Sequence, residues 1–334
     1  MKKIIIIIAP LKSPHIEKIY RDCGDSFLFF SFRSGQRNSK VINALSWYQF
    51  LKIILLKQCN VLVIHYLSVN VLLGFIAKPF VNELVGVCWG TDLYGFASRN
   101  KTIWKFCASR FSTLAATSLN MCEYVKKQFN LEIEHRPFGL SPQFVDKNFN
   151  VKVISPIEYA KFITVKELRY KAGIDRSLRF LSELAAKYPN IKIKYDIYGS
   201  GPEIRNLKLM ATVLETVNFA IDFKGEVTQA ELVDIYPKYH FFICLSRMES
   251  LGLSFIEAAH FGLPPIISSA PGPTEIFGTK YKLRCKDEAQ IETIIDQLYS
   301  VISDSTKYEE LSNYSRDCTK PYLWKEWSSW YVKM

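Results

Sequence analysis

None of the eight cysteines (Cys23, Cys59, Cys88, Cys107, Cys122, Cys244, Cys285, Cys318) stands in a C-x-x-C pair or a dense cluster. That spacing excludes a disulfide scaffold and fits reduced core thiols in a cytosol. The sequence also lacks a D-x-D triplet and any His/Cys cluster, so no metal-ligand set is legible and a metal is not expected. No glycine occupies the first turn after the opening strand. A dinucleotide-binding dehydrogenase needs G-x-G-x-x-G there, and is set aside. Long apolar runs are missing too. Met1-Lys2-Lys3 followed by Ile4 to Ile8 imitates a signal peptide, but the run ends at Pro10 and Lys12, short of the roughly seven residues such a peptide requires. A buried first strand fits better. Val61 to Ala77 is the most membrane-like stretch, yet His65, Ser68 and Asn70 interrupt it and it barely reaches the minimum span of about 17 residues. It reads as a strand followed by a buried helix, which leaves only peripheral membrane contact.

At 334 residues the chain exceeds what one core organises, so two domains and a site between them are expected. Hydrophobic residues at 49% and charged residues at 22% describe an ordinary globular protein. The net charge of +11 and pI near 9.1 point to an anionic partner, whether nucleic acid, an acidic membrane surface or a phosphorylated ligand. A solvated basic face without a partner is the plain alternative. Basic residues such as Lys2, Lys12, Arg33, Lys57, Lys78, Lys126 and Lys127 are scattered, and no zinc-finger or RNA-recognition pattern occurs. Nucleic acid is therefore not an expected partner.

Short apolar strands recur at Lys3 to Ala9, Ser26 to Phe32, Val61 to His65, Glu83 to Cys88 and Ser112 to Ala116, with helical spacing or turns between. Leu140 to Pro156 reads as an interdomain linker. A second series follows, with strands at Phe162 to Val165, Lys192 to Tyr198, Ile221 to Lys224, His240 to Leu245 and Pro265 to Ser268. Helices are expected near Arg176 to Lys187, Glu203 to Leu214, Gln229 to Tyr236, Ser254 to Phe261 and Ala289 to Ser303. The alternation predicts an α/β chain of two doubly wound units with parallel sheets. The expected limits are 1–150, 151–315 and a tail, 316–334, whose Trp324, Trp327, Trp330 and Tyr331 at helical spacing pack back on a domain, the first one in our reading.

The strongest local signal runs from Ser246 to Ala259, directly after an apolar strand. A strand, a Gly-containing loop and a helix make an anion site. The free N–H groups of Ser250, Leu251, Gly252 and Leu253 would converge with the positive helix end on one phosphate oxygen. Glu249 in the loop and Glu257 on the helix would grip two ends of one ligand through sugar hydroxyls. The bland alternative makes Glu249 a helix cap and Glu257 a surface residue. Three further features stand in the order a nucleotide site needs. Lys166 to Asp175 is a basic loop whose cations would neutralise a departing diphosphate. Tyr198-Gly199-Ser200-Gly201-Pro202 is a Gly-rich turn, and Phe223 to Val227 ends a strand that would face a base.

These motifs resemble family 4 of the glycosyltransferases, retaining enzymes of the GT-B fold with two Rossmann-like domains facing across a cleft. The resemblance implies sugar transfer from a nucleotide-diphosphate-sugar, with no cofactor and no metal. Acceptors would be glycans or polyprenyl-diphosphate-linked sugars of bacterial surface polysaccharide (O-antigen, capsule or lipopolysaccharide). The enzyme would work in the cytoplasm, peripherally on the anionic inner membrane surface. The family's E-x7-E motif falls on Glu249, which would touch the donor sugar, and Glu257, which would hold the ribose. The diphosphate cation falls on Lys166, Arg169 or Lys171, with Lys166 the first choice because Lys166, Leu168 and Gly173-Ile174-Asp175 match a surface-polysaccharide variant. In the first domain Trp89 replaces the family His, in Val85 to Asp92. His15, His65 and Trp89 are expected on the acceptor side, with a structural role the alternative for each His. Asp92 is expected as a catalytic carboxylate, or else as a helix cap. Competing readings are a nucleotide-sugar epimerase on the same scaffold and an inert subunit of a polysaccharide-synthesis complex.

Overall fold

The computed structural model describes residues 5–8, 27–30, 52, 55–56, 60–140, 142–145, 159–287 and 290–322. Two compact units divide after Gly139. The expected boundary near residue 150, the loop holding His15, and the aromatic tail from Trp324 lie outside the described residues.

The first unit carries strands β1 (Ile5–Ile8), β2 (Phe27–Phe30), β3 (Val61–His65), β4 (Glu83–Cys88), β5 (Thr113–Ala116) and β6 (Glu134–His135). All pair in parallel, in the order β2-β1-β3-β4-β5-β6. Helices α1 (Val71–Ala77), α2 (Lys101–Ala108) and α3 (Leu119–Phe129) cover this sheet. Trp104 fills the centre of that core, its ring 4.6 Å from Phe129 and its Nε1–H donated to the Leu67 carbonyl at 2.6 Å. The short apolar runs at Val61 and Glu83 become strands because both their faces are covered. Near-continuous burial along β3 and β4 is what a parallel sheet between helices requires.

In the second unit β7 (Tyr159–Val165), β8 (Lys192–Tyr198), β9 (Phe219–Gly225), β10 (Phe241–Cys244), β11 (Pro265–Ser268) and β12 (Arg284–Cys285) lie in the order β12-β11-β10-β7-β8-β9. Every pairing is again parallel. The helices are α4 (Ile174–Lys187), α5 (Ile204–Leu214), α6 (Gln229–Ile235), α7 (Leu253–His260), α8 (Pro271–Phe277), α9 (Ile291–Ile302) and α10 (Ser305–Asp317). The strand order reverses between β7 and β10. In such sheets ligands bind beyond the carboxyl ends of the strands that flank this reversal.

One expected linker segment differs. Leu140 and Phe144 are buried in the second unit, Leu140 donating to the Tyr322 carbonyl at 2.6 Å and Phe144 lying against Tyr236 and Phe261. Two large apolar side chains in an otherwise polar stretch dock it, so the segment through Val145 is packed structure and no free linker. The six described cysteines are all free thiols, and Cys23 and Cys59 lie outside the described residues. No described helix is long and apolar enough to cross a membrane.

Candidate active site

The loops leaving β7 and β10 meet at the strand-order reversal. Lys166 is the first residue after β7 and Glu249 follows β10 by five positions, and the ammonium and carboxylate form an ion pair. Both are partly covered, at 15% and 21% side-chain exposure. The Lys166 ammonium also lies 5.1 Å from the Phe255 ring centroid. Burial alone pulls the lysine pKa down, but the neighbouring Glu249 carboxylate outweighs it, so Lys166 is held above its ordinary value and stays charged.

Glycines set how closely these loops approach. Gly199, at φ 129°, sits where a Cβ would lie 1.9 Å from the Lys166 carbonyl oxygen. Gly201 likewise faces the Leu168 carbonyl at 2.5 Å. The Gly-rich turn therefore lies against the backbone of the basic loop, tied to it by the Leu168 N–H donating to Ser200 at 2.8 Å. The second glycine-dependent junction is Gly252, at φ 84°, which caps α7. A Cβ there would meet Phe255 at 2.6 Å and Glu249 at 3.0 Å.

Among the described residues no acceptor meets the backbone N–H groups of Ser250, Leu251, Gly252, Leu253 and Ser254. The Ser254 hydroxyl is buried without a partner in the same turn. Five unanswered N–H donors and one orphaned hydroxyl at a helix start, beside a lysine, are the donor set of an oxyanion site. Ser254 was not expected from the sequence, because a serine one position into a helix reads as ordinary.

Glu257 is buried at 5% exposure, so the alternative of a surface residue fails. Gln229 donates to one of its oxygens at 3.0 Å and the Tyr236 hydroxyl to the other at 3.2 Å. Burial, then the Glu257 charge, push the Tyr236 phenol far above its ordinary value, which keeps it a donor. The carboxylate thus stands on the second turn of α7, eight positions from Glu249, held in one orientation from behind.

Arg169 and Lys171 do not join Lys166. Arg169 is exposed and pairs with Glu167 at 2.6 Å. Lys171 is exposed and contributes its carbonyl, which accepts from the Arg247 and Met248 N–H groups at 2.9 and 3.3 Å. Arg247 itself was missed. Its guanidinium grips Asp175 through both nitrogens at 2.7 and 2.5 Å and lies 3.9 Å from the Tyr170 ring centroid. Partial burial would raise the Asp175 carboxyl, but Arg247 holds it below its usual value. The Arg247–Asp175 clamp ties the loop that presents Glu249 to the first turn of α4, which follows the Lys166 loop.

In the first unit, Asp92 is 2% exposed, and its carboxylate accepts from the backbone N–H groups of Leu67, Trp89, Gly90 and Leu93 at 2.8 to 3.1 Å. Burial raises its pKa, and the N–H groups of Trp89, Leu67 and Gly90 oppose the shift. The carboxylate ties the ends of β3 and β4 together, and it does not serve as the helix cap, a position held by Thr91. His65 is fully buried and accepts the Trp89 Nε1–H on Nδ1 at 3.0 Å. Burial lowers its pKa to about 3, so it is neutral. Trp89 stacks on Tyr66 at 5.4 Å and meets Phe138 edge-on at 5.1 Å.

A family model described as Glycosyl transferases group 1 matches residues 146–317, just over half of the 334 residues. The chain belongs to the group 1 glycosyl transferases. Curated relatives include the sulfoquinovosyl transferase SQD2 of Arabidopsis thaliana, 25% identical over 158 residues, 46% of this chain and 30% of that protein. Another is the alpha-monoglucosyldiacylglycerol synthase of Streptococcus pneumoniae, 31% identical over 140 residues, 34% of this chain and 31% of that protein. This group 1 chain thus spans about a third of the length of these relatives. Among solved structures, Anabaena HepE in complex with UDP and glucose matches with a TM-score of 0.73 at 14% identity, covering 99% of this chain and 98% of that one. At that identity the likeness concerns the fold, which is GT-B.

Proposed function

We propose that this group 1 chain is a retaining glycosyltransferase that takes a sugar from a nucleoside-diphosphate donor. The supporting observation is the Lys166–Glu249 pair beside the unanswered N–H groups of Ser250 to Ser254. Departure of a nucleoside diphosphate builds negative charge on the leaving phosphate and positive charge on the sugar ring. Lys166 and the start of α7 meet the first, and fixed donors of this kind supply most of the rate in such reactions. When the donor enters, Lys166 exchanges Glu249 for the diphosphate, and Glu249 turns to a sugar hydroxyl. Glu257 holds the ribose, with Gln229 and Tyr236 fixing it. Gly199 and Gly201 keep the basic loop in place below the phosphates. A metal ion has no step in this reading. Retention follows from attack on the leaving-group face, with a phosphate oxygen taking the acceptor proton.

The acceptor in this reading is a lipid-linked or glycan precursor of bacterial surface polysaccharide, met at the cytoplasmic membrane face. A relative whose name describes a glucosylated diacylglycerol supports the lipid part. Trp89 stands on the acceptor side in this reading, its indole held from behind by the fully buried His65, whose role is structural, and His15 would join it. The experiment is a thermal-shift screen against UDP, GDP, TDP, CMP and their sugar conjugates, because a ligand of the folded state raises its stability by mass action. A shift with one nucleoside diphosphate supports the reading. Flat profiles with all of them, at concentrations well above millimolar, would refute it.

A further inference from the structure

Helices α1 and α2 of the first unit pack side by side, and each turns an apolar face outward. Val69, Leu72 and Ile76 recur at helical spacing before and along α1, and Ile103 and Phe106 do so along α2. All five are exposed, Ile76 at 57% and Phe106 at 53%. The two faces touch through Phe75 and Phe106, whose rings lie 5.3 Å apart. Arg110 lies over both rings, at 5.5 and 5.2 Å. Core packing does not account for this, since α2 already buries Trp104, Cys107 and Ala108 on its other side.

Charge identifies the occupant. From Leu93 to Cys122 the sequence has no Asp or Glu, against Arg99, Lys101, Lys105 and Arg110. No carboxylate pairs with these four among the described residues. Asp92, the acid just before them, is buried and consumed by backbone N–H groups. Exposed apolar side chains with Arg110 over their rings, and with Lys101 and Lys105 on the other exposed flank of α2, match the headgroup and acyl boundary of an anionic bilayer. A second copy of the chain fits worse. A two-fold contact through this face would set the same four cations against each other.

We propose that the α1–α2 face docks the chain on an anionic lipid surface, Val69, Leu72, Ile76, Ile103 and Phe106 entering the interface while Lys101, Lys105 and Arg110 meet lipid phosphates. The partner named here rests on the reading of a lipid-linked acceptor. It specifies where the chain meets the membrane that bears it.

The test is co-sedimentation of the full chain with phosphatidylglycerol vesicles and with neutral phosphatidylcholine vesicles, at low and high salt. Each cation near an anionic surface is worth about fivefold in partitioning, so Lys101→Gln with Lys105→Gln should weaken binding about 25-fold. Ile76→Ser, Ile103→Ser and Phe106→Ser together should abolish it. Binding should also fade toward 1 M salt, where screening falls to about 3 Å. A nucleotide thermal shift unchanged in both variants would establish that they fold and that the donor site is independent. Equal binding to both vesicle types, or vesicle binding indifferent to both variants, overturns the docking face while leaving the donor reading standing. So does a dimer in ultracentrifugation that the triple variant dissolves without changing vesicle binding. Loss of the nucleotide response in the native chain, with vesicle binding intact, would instead sink the donor reading alone.

Discussion

Glu249→Gln separates the two jobs assigned to this carboxylate. In the free protein it holds the Lys166 ammonium, and both side chains are partly covered, at 15% and 21% exposure. Exposed pairs of this kind contribute about 0.2–1 kcal/mol, whereas breaking a buried one costs about 3–5 kcal/mol. A pair of intermediate burial falls near 1–2 kcal/mol by the same comparison. A nucleoside diphosphate without sugar must displace that carboxylate and gains nothing from it. Glutamine keeps the volume and removes the competing charge. The variant should therefore bind the bare nucleoside diphosphate more tightly, by about 5- to 30-fold. The sugar donor should behave oppositely. A hydroxyl bonded to a charged carboxylate is worth about 1.5–3 kcal/mol, so turnover from the sugar donor should fall by ten- to 150-fold. Calorimetric titration with the nucleoside diphosphate, alongside kcat and KM for the sugar donor, reads both halves. Weaker binding of the bare nucleoside diphosphate by Glu249→Gln would refute the exchange of partners at Lys166.

The glycines and the buried histidine make further claims. Gly199→Ala places a Cβ 1.9 Å from the Lys166 carbonyl, whereas Gly225→Ala, at φ 77°, meets nothing within 4 Å. The first should cost well over the roughly 1–3 kcal/mol of positive-φ strain and lower Tm by more than the second. Equal Tm losses would contradict the close approach. His65 is held at about 3 when folded, against about 6.5 unfolded. The unfolded chain then binds the extra proton between those values, so stability is present above pH 6.5 and lost as pH falls. The loss is about 1.4 kcal/mol per pH unit, or about 2 kcal/mol by pH 5. Urea unfolding of His65→Asn, which keeps an acceptor for Trp89, should lack that slope. Parallel stability profiles for native and variant protein would count against a neutral buried His65.

Much of the scaffold was legible because both sheets are parallel and strands such as β3, β4, β10 and β11 are buried along nearly their whole length. The spacing gives Val61 to His65, Glu83 to Cys88 and Pro265 to Ser268 with the bounds observed, since such strands announce themselves as short apolar runs, and Lys192 to Tyr198 likewise through its alternation of polar and apolar residues. Helix α10 and the docked Leu140 to Val145 segment were not. Helix α10 is polar, with buried Tyr308, Leu311, Ser312 and Ser315, so half of its inward face is hydroxyl and carries no apolar stripe. The Leu140 segment buries two large apolar side chains, Leu140 and Phe144, which are too few for a period.

At the candidate site, motif order and the family resemblance bring Lys166 and Glu249 to one donor site, whereas their pairing at the strand-order reversal appears only in the fold. Lys166 is the first choice among the three cations from the motif alone, and the coordinates add that it faces Glu249 while Arg169 and Lys171 are exposed. Arg247 and Asp175 stand 72 positions apart, and nothing in either neighbourhood reveals a clamp. Asp92 reads as a carboxylate at a strand end in any sequence. Its engagement by four backbone N–H groups appears only once the chain is folded.

The central claim is that Lys166 at the β7–β10 junction receives the diphosphate of a sugar donor. Calorimetric titration of the responding nucleoside diphosphate into the native chain and into Lys166→Met tests it most directly. A charge-assisted contact of about 1.5–3 kcal/mol predicts ten- to 150-fold weaker binding by the variant. Unchanged affinity in a folded Lys166→Met protein would contradict the assignment and move the diphosphate away from this junction.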